Sequence, residues 1–132
     1  MAEATHTYQS NAEFLTHIDR SLLQFDPPET DELARVVESL VRAFAPDRVY
    51  IFGSRARGAA GPDSDVDLLV VVADAGPYPH RLAQEAYRSL GAHTLPFDIV
   101  FMARDEFQWR ASVASSLPAT VLREGHLLYA AA

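Results

Sequence analysis

The chain has 132 residues, 48% of them hydrophobic, no cysteine and a formal net charge of −7. This length fits one compact domain, and the missing cysteines exclude a disulfide framework, a thiolate zinc site and a cysteine nucleophile while suiting a reducing, cytoplasmic setting. The acidic field repels nucleic acid over about a Debye length, so direct nucleic-acid binding is not expected.

The N-terminal stretch MAEATHTYQS lacks the basic, apolar and cleavage-site regions of a secretory signal. No run of about 18 apolar residues predicts a membrane span. Ser10 or Asn11 can cap a helix that continues through Phe14, Leu15, Ile18 and Leu22, and Asp26-Pro27-Pro28 is expected to stop it. Residues 1–30 therefore read as an N-terminal extension with one helix, and residues 31–130 as the main domain. Thr30 is the expected cap of the next helix, where Leu33, Val36, Val37, Leu40, Val41 and Phe44 recur at helical spacing until Pro46.

Val49-Tyr50-Ile51-Phe52 predicts a buried strand that runs straight into Gly53-Ser54. After a polar, glycine-rich loop, Val66 to Val72 predicts a second strand. Asp74-Ala75-Gly76-Pro77 turns the chain into a helix with Leu82, Ala83, Ala86, Tyr87 and Leu90 on one face and Gly91 as its stop. Phe97 to Met102 predicts a third strand. Helices over Asp105–Ser112 and Pro118–Glu124 follow, and Leu127-Leu128-Tyr129 closes the chain as a strand or docked tail. Two successive strands with no helix between them exclude a doubly wound parallel sheet. The expected fold is α+β: a small mixed sheet with helices packed on one face.

Chemistry concentrates in Gly53-Ser54-Arg55-Ala56-Arg57-Gly58 and Ser64-Asp65-Val66-Asp67. A strand ending in Gly-Ser can form an anion-binding nest of backbone amides, and arginines suit phosphate oxygens. Asp65 and Asp67, two apart at a strand start, point to one face. Adjacent carboxylates repel unless a cation sits between them, and carboxylates with phosphates are the ligands Mg²⁺ prefers. Asp98 lies inside an otherwise apolar strand, where aspartate is unfavourable. Placed beside the Asp65–Asp67 strand, it completes a three-carboxylate cluster able to hold two Mg²⁺ ions. The blander alternatives are an edge-strand Asp98 facing water and solvated Arg55 and Arg57. Having no lysine, the chain excludes lysine-dependent mechanisms. The histidines His6, His17, His80, His93 and His126 show no ligand spacing and read as structural or surface groups, and Trp109 with Phe107 reads as core or interface packing.

Gly53-Ser54, ten residues, then Asp65-Val66-Asp67 resembles the signature of the DNA-polymerase-β-like nucleotidyltransferase superfamily. The chain is similar in particular to the minimal nucleotidyltransferases, antitoxin-type partners of HEPN-domain ribonucleases. The likeness extends over Phe97-Asp98-Ile99-Val100, Glu106-Phe107 and the closing Arg123-Glu124-Gly125-His126-Leu127-Leu128-Tyr129. It implies a palm-type fold, with Gly53 and Ser54 on the β- and γ-phosphates of ATP or another NTP and Arg57 assisting. Ser64 belongs to the same nucleotide-binding group. It also implies Asp65, Asp67 and Asp98 as catalytic ligands of two Mg²⁺ ions, and transfer of AMP to a tyrosine of a HEPN toxin. Two other readings stay open: a non-catalytic module that neutralises a partner by occlusion, and transfer to a small cationic drug.

Overall fold

The computed structural model describes residues 25–58 and 64–131. The helix expected through Phe14 to Leu22, along with His6 and His17, lies outside the described residues. The described chain runs α1 (Pro27–Phe44), β1 (Arg48–Phe52), β2 (Val66–Val72), α2 (Pro79–Ser89), β3 (Phe97–Ala103), α3 (Arg104–Arg110), α4 (Leu117–Glu124) and β4 (His126–Ala130).

Helix α1 begins three residues before the expected Thr30 cap, at the prolines themselves. Asp26 is the N-cap: its carboxylate accepts from Glu29 N at 2.9 Å, and Glu29 reaches back to Asp26 N at 3.0 Å. Pro27 and Pro28 occupy the first turn, where a helix N–H has no intrahelical acceptor and proline costs nothing. The reciprocal carboxylate contacts form a capping box that spacing alone did not distinguish from a break. Thr30 Oγ1 instead donates back to Asp26 O at 3.1 Å.

The sheet has the order β3-β2-β1-β4. β1 is antiparallel to both neighbours, whereas β2 and β3 run parallel and are joined by the α2 crossover. The mixed α+β sheet is as expected from the sequence, but its helices are not confined to one face. Leu33, Val36, Val37 and Leu40 of α1 and Ala86 of α2 pack on Val49, Ile51, Leu68, Val70, Ile99 and Phe101. Phe107 of α3 and Val121 of α4 pack on Tyr50, Leu69, Val71 and Met102. Strand β2 thus has apolar neighbours on both sides, which is why Leu68 to Val72 is a continuous apolar run and not an alternating one. Burying each such side chain fully stabilises the fold by about 1.5–3 kcal/mol relative to leaving it exposed.

Candidate functional site

At the end of β1, Gly53 has φ +79°, the left-handed region that glycine enters without steric cost. A Cβ there would collide with Asp67 Oδ2, so the position excludes side chains on two counts. Ala56 N and Arg57 N both donate to Gly53 O at 3.1 Å and close the turn. Ala56 is buried in the α1-side core and anchors the turn from below.

The two arginines of the turn part company. Arg57 stays exposed beside Glu124, with Nη1 3.8 Å from Oε1, and its charge reaches Asp67. Arg55 does not face solvent with it, so it is not the solvated loop arginine of the blander reading. Its side chain is 3% exposed, its Nε donates to Ser64 O at 3.2 Å, its Nη1 lies 3.6 Å from Glu29, and its guanidinium covers the Phe25 ring. Guanidinium groups are buried only with partners, and here the partners are the capping box of α1 and the residue preceding Asp65. Arg55 therefore ties the Gly-Ser turn to the entrance of β2.

Asp65, Asp67 and Asp98 lie at one end of the sheet. Asp67 pairs in register with Phe52 of β1 on one side and with Asp98 of β3 on the other. Asp67 shares strand parity with Leu69 and Val71, and Asp98 with Val100 and Met102, so both project to the face that carries α3 and α4. Asp65, two residues before Asp67, stands just ahead of β2; the ladder reaches it through Val66 N, which donates to Pro96 O at 2.8 Å. Asp65 and Asp98 are exposed and Asp67 is half-buried.

Burial raises the Asp67 pKa above its ordinary value, and the charges of Asp98 and Asp65 raise it further, against a partial offset from Arg57. Among the described residues, no three His, Asp or Glu side chains are gathered into a ready-made metal-ligand set. The acids are close enough to repel but not drawn together. A donor set of this kind, all oxygen and with uncompensated negative charge, fits a hard divalent cation.

Two contacts fix β3, which carries Asp98. Glu32 is buried on the apolar side of α1 and accepts from Thr94 N (2.7 Å), Thr94 Oγ1 (3.0 Å) and Leu95 N (2.8 Å). Burial alone would raise the Glu32 pKa, but these bonds and Arg35 outweigh it and hold the carboxyl below its usual range. On the outer edge of β3, Ile99 N donates to the Tyr87 hydroxyl at 2.7 Å. Sequence reasoning gave Glu32 no such role. Its signal was present, since Glu32, Val36 and Leu40 recur every fourth residue and an acid on an apolar stripe needs a partner. The segment Glu124-Gly125-His126 also reaches the turn, with His126 Nε2 3.0 Å from Ala56 O.

Comparison with known proteins bears on the fold and the family. A candidate nucleotidyltransferase from Sulfolobus solfataricus is similar in fold, with a TM-score of 0.53 and 20% identity over 96% of this chain and 93% of that one. A toxin-antitoxin crystallised with AMP-PNP matches at a TM-score of 0.46 and 24% identity, over 73% of this chain and 72% of that one. A mutant of the toxin-antitoxin MntA-HpeT matches at 0.43 and 22%, over 72% and 71%. No curated protein matches the chain. The family described as nucleotidyltransferase domain matches residues 31–122, most of the sequence, including Gly53, Ser54, Asp65, Asp67 and Asp98. The chain belongs to the nucleotidyltransferase domain family.

Proposed function

We propose that this nucleotidyltransferase domain moves a nucleoside monophosphate, AMP from ATP, onto an acceptor hydroxyl. The observation that carries the reading is Asp67: a half-buried carboxylate with a raised pKa, in register with Asp98, flanked by Asp65 and facing Gly53. In this reading Gly53 and Ser54 cradle the β- and γ-phosphates, and Ser64 lines the same space. Arg57 leaves Glu124 to pair with phosphate oxygens. Asp65, Asp67 and Asp98 would hold Mg²⁺. Bound Mg²⁺ supplies neutralisation of the triphosphate and a lowered pKa for the acceptor hydroxyl. Asp98 accepts the acceptor's proton as its oxygen attacks the α-phosphorus, and the bond to the β-phosphate breaks to release pyrophosphate.

The acceptor we assign is a tyrosine of a HEPN-type toxin, with the chain acting as its antitoxin. Support comes from the likeness to antitoxin-type minimal nucleotidyltransferases, which runs through the closing Arg123–Tyr129 segment. Among the described residues no helix is long and apolar enough to cross a membrane. The test is intact-mass analysis of such a partner after incubation with the chain, ATP and Mg²⁺. A gain of one or more AMP units, lost with Asp65→Asn, is the expected result; transfer by Asp65→Asn at the wild-type rate overturns the reading.

A second reading, neutralisation by occlusion, draws on Trp109, which is 64% exposed on α3 while Phe107 is buried. Large exposed aromatics are common anchors of protein interfaces. Neutralisation that survives replacement of all three aspartates by asparagine would favour it.

A further inference from the structure

The corner Glu124-Gly125-His126 between α4 and β4 lies against the Gly-Ser turn, and the proposed chemistry gives His126 no role. His126 Nε2 is 3.0 Å from Ala56 O. A carbonyl oxygen only accepts, so Nε2 carries the proton and donates. The N–H of the same residue, Ala56, donates to Gly53 O at 3.1 Å. Ala56 is therefore held by its N–H from within the turn and by its C=O from β4. Its side chain, 4% exposed, is fixed in the core.

The corner can do this because it is itself rigid. Gly125 N donates to Val121 O at 2.8 Å. A Cβ on Gly125 would meet Ile51 O at 2.6 Å and Val121 O at 2.7 Å, so only glycine lets the backbone rest directly on β1. His126 then pairs with Ile51, two residues before Gly53. The ring and the turn thus spring from neighbouring points of adjacent strands.

We infer that His126 is a positioning residue for nucleotide binding, acting through the Ala56 carbonyl. Released from the ring, that carbonyl can rotate toward the bound anion, where its negative end opposes phosphate. Held by the ring, it keeps the turn's peptide units in one orientation before the ligand arrives, and this lowers the ordering cost of binding. The inference rests on the reading of the turn as the triphosphate site.

The experiment is calorimetric titration of the full chain with Mg²⁺·ATP, alongside thermal melts. His126→Phe keeps a ring of similar size without a donor. His126→Gln restores an N–H that can reach the carbonyl. Loss of one preorganising hydrogen bond is expected to weaken Mg²⁺·ATP binding roughly five- to tenfold in His126→Phe. Affinity in His126→Gln is expected to return to within about twofold of wild type, with melting temperatures of the two variants close together. Unchanged affinity in His126→Phe overturns the inference, as does equal weakening in both variants. Should His126→Phe fail to fold, His126→Ala takes its place in the same comparison. Asp67→Asn is run in parallel: undiminished Mg²⁺·ATP binding there sinks the nucleotide-site reading itself. Weakened binding in Asp67→Asn with unchanged binding in His126→Phe sinks the positioning role alone.

Discussion

The two ends of the sheet treat aspartate in opposite ways. At the end where β1 begins, Asp47 receives bonds from both Nε and Nη2 of Arg104, the latter at 2.9 Å. That bidentate pairing outweighs partial burial and, with Arg48 nearby, holds the Asp47 carboxyl below its ordinary pKa. A groove of about 340 Å³ beside the pair is lined by Arg48, Arg104 and Gln108, and its acid is already neutralised. At the end where β1 finishes, Asp67 meets two more acids and, among the described residues, one exposed arginine, and its pKa rises. The chain places arginines freely on its surface, so it could have satisfied both ends. Leaving one end repulsive costs stability, and such unrelieved charge concentrates where ligands bind.

Neutralising the repulsive end gives the largest expected effect. Asp67→Asn removes the most strongly opposed charge, so nucleotidyl transfer is expected to fall by ~100-fold or more. The same variant is expected to melt at a higher temperature than wild type in metal-free buffer, because the ionised carboxylate opposes folding. Asp47→Asn at the satisfied end is expected to do the reverse, with a slightly lower melting temperature and unchanged Mg²⁺·ATP affinity. Equal effects of the two substitutions on binding would erase the contrast. Next in size is Gly53→Ala. It forces a side chain into a left-handed backbone position and against Asp67, and is expected to cost about 1–3 kcal/mol in denaturant unfolding together with loss of ATP binding.

Much of this was legible in the residues. The strand ending at Phe52 and the run from Val66 to Val72 read correctly because buried strands are continuous apolar runs with turn residues at their ends. Gly125 as the stop of α4 was equally readable. The start of α1 was not, because Asp-Pro-Pro signals a stop and a start alike until the reciprocal Asp26 and Glu29 bonds are seen. Coverage of both sheet faces was also hidden, since α3 is only seven residues long and its burial rests on Phe107. Within the site, the residues set Asp98 beside Asp65 and Asp67 only on the condition that its strand neighbours theirs, and it is the parallel register of β2 and β3 that brings Asp67 opposite Asp98. Spacing alone could not separate Arg55 from Arg57; only the family resemblance singled out Arg57. Spacing does not say which of two arginines finds Glu29 and Ser64 O in the interior.

The smallest effect is the most diagnostic, because the two ends should differ in sign across pH. The folded pKa of Asp47 is depressed, so its stabilising contribution is fully present above the ordinary value near 3.8 and disappears as pH falls through the lower folded value. The folded pKa of Asp67 is raised, so its ionised form opposes folding at neutral pH. That opposition fades as pH falls through the folded value toward 3.8. Denaturant midpoints measured in metal-free buffer should therefore show Asp67→Asn above wild type at neutral pH, with the gap closing first as the solution is acidified. Asp47→Asn should lie below wild type, with its gap persisting until lower pH. Saturating Mg²⁺ should raise the wild-type midpoint at neutral pH and leave Asp67→Asn nearly unmoved, since a cation bound only by the folded site stabilises it by mass action. A wild-type midpoint indifferent to Mg²⁺, with the Asp67→Asn gap unaltered by acid, would mean that the repulsion at this end of the sheet is not a cation site in waiting.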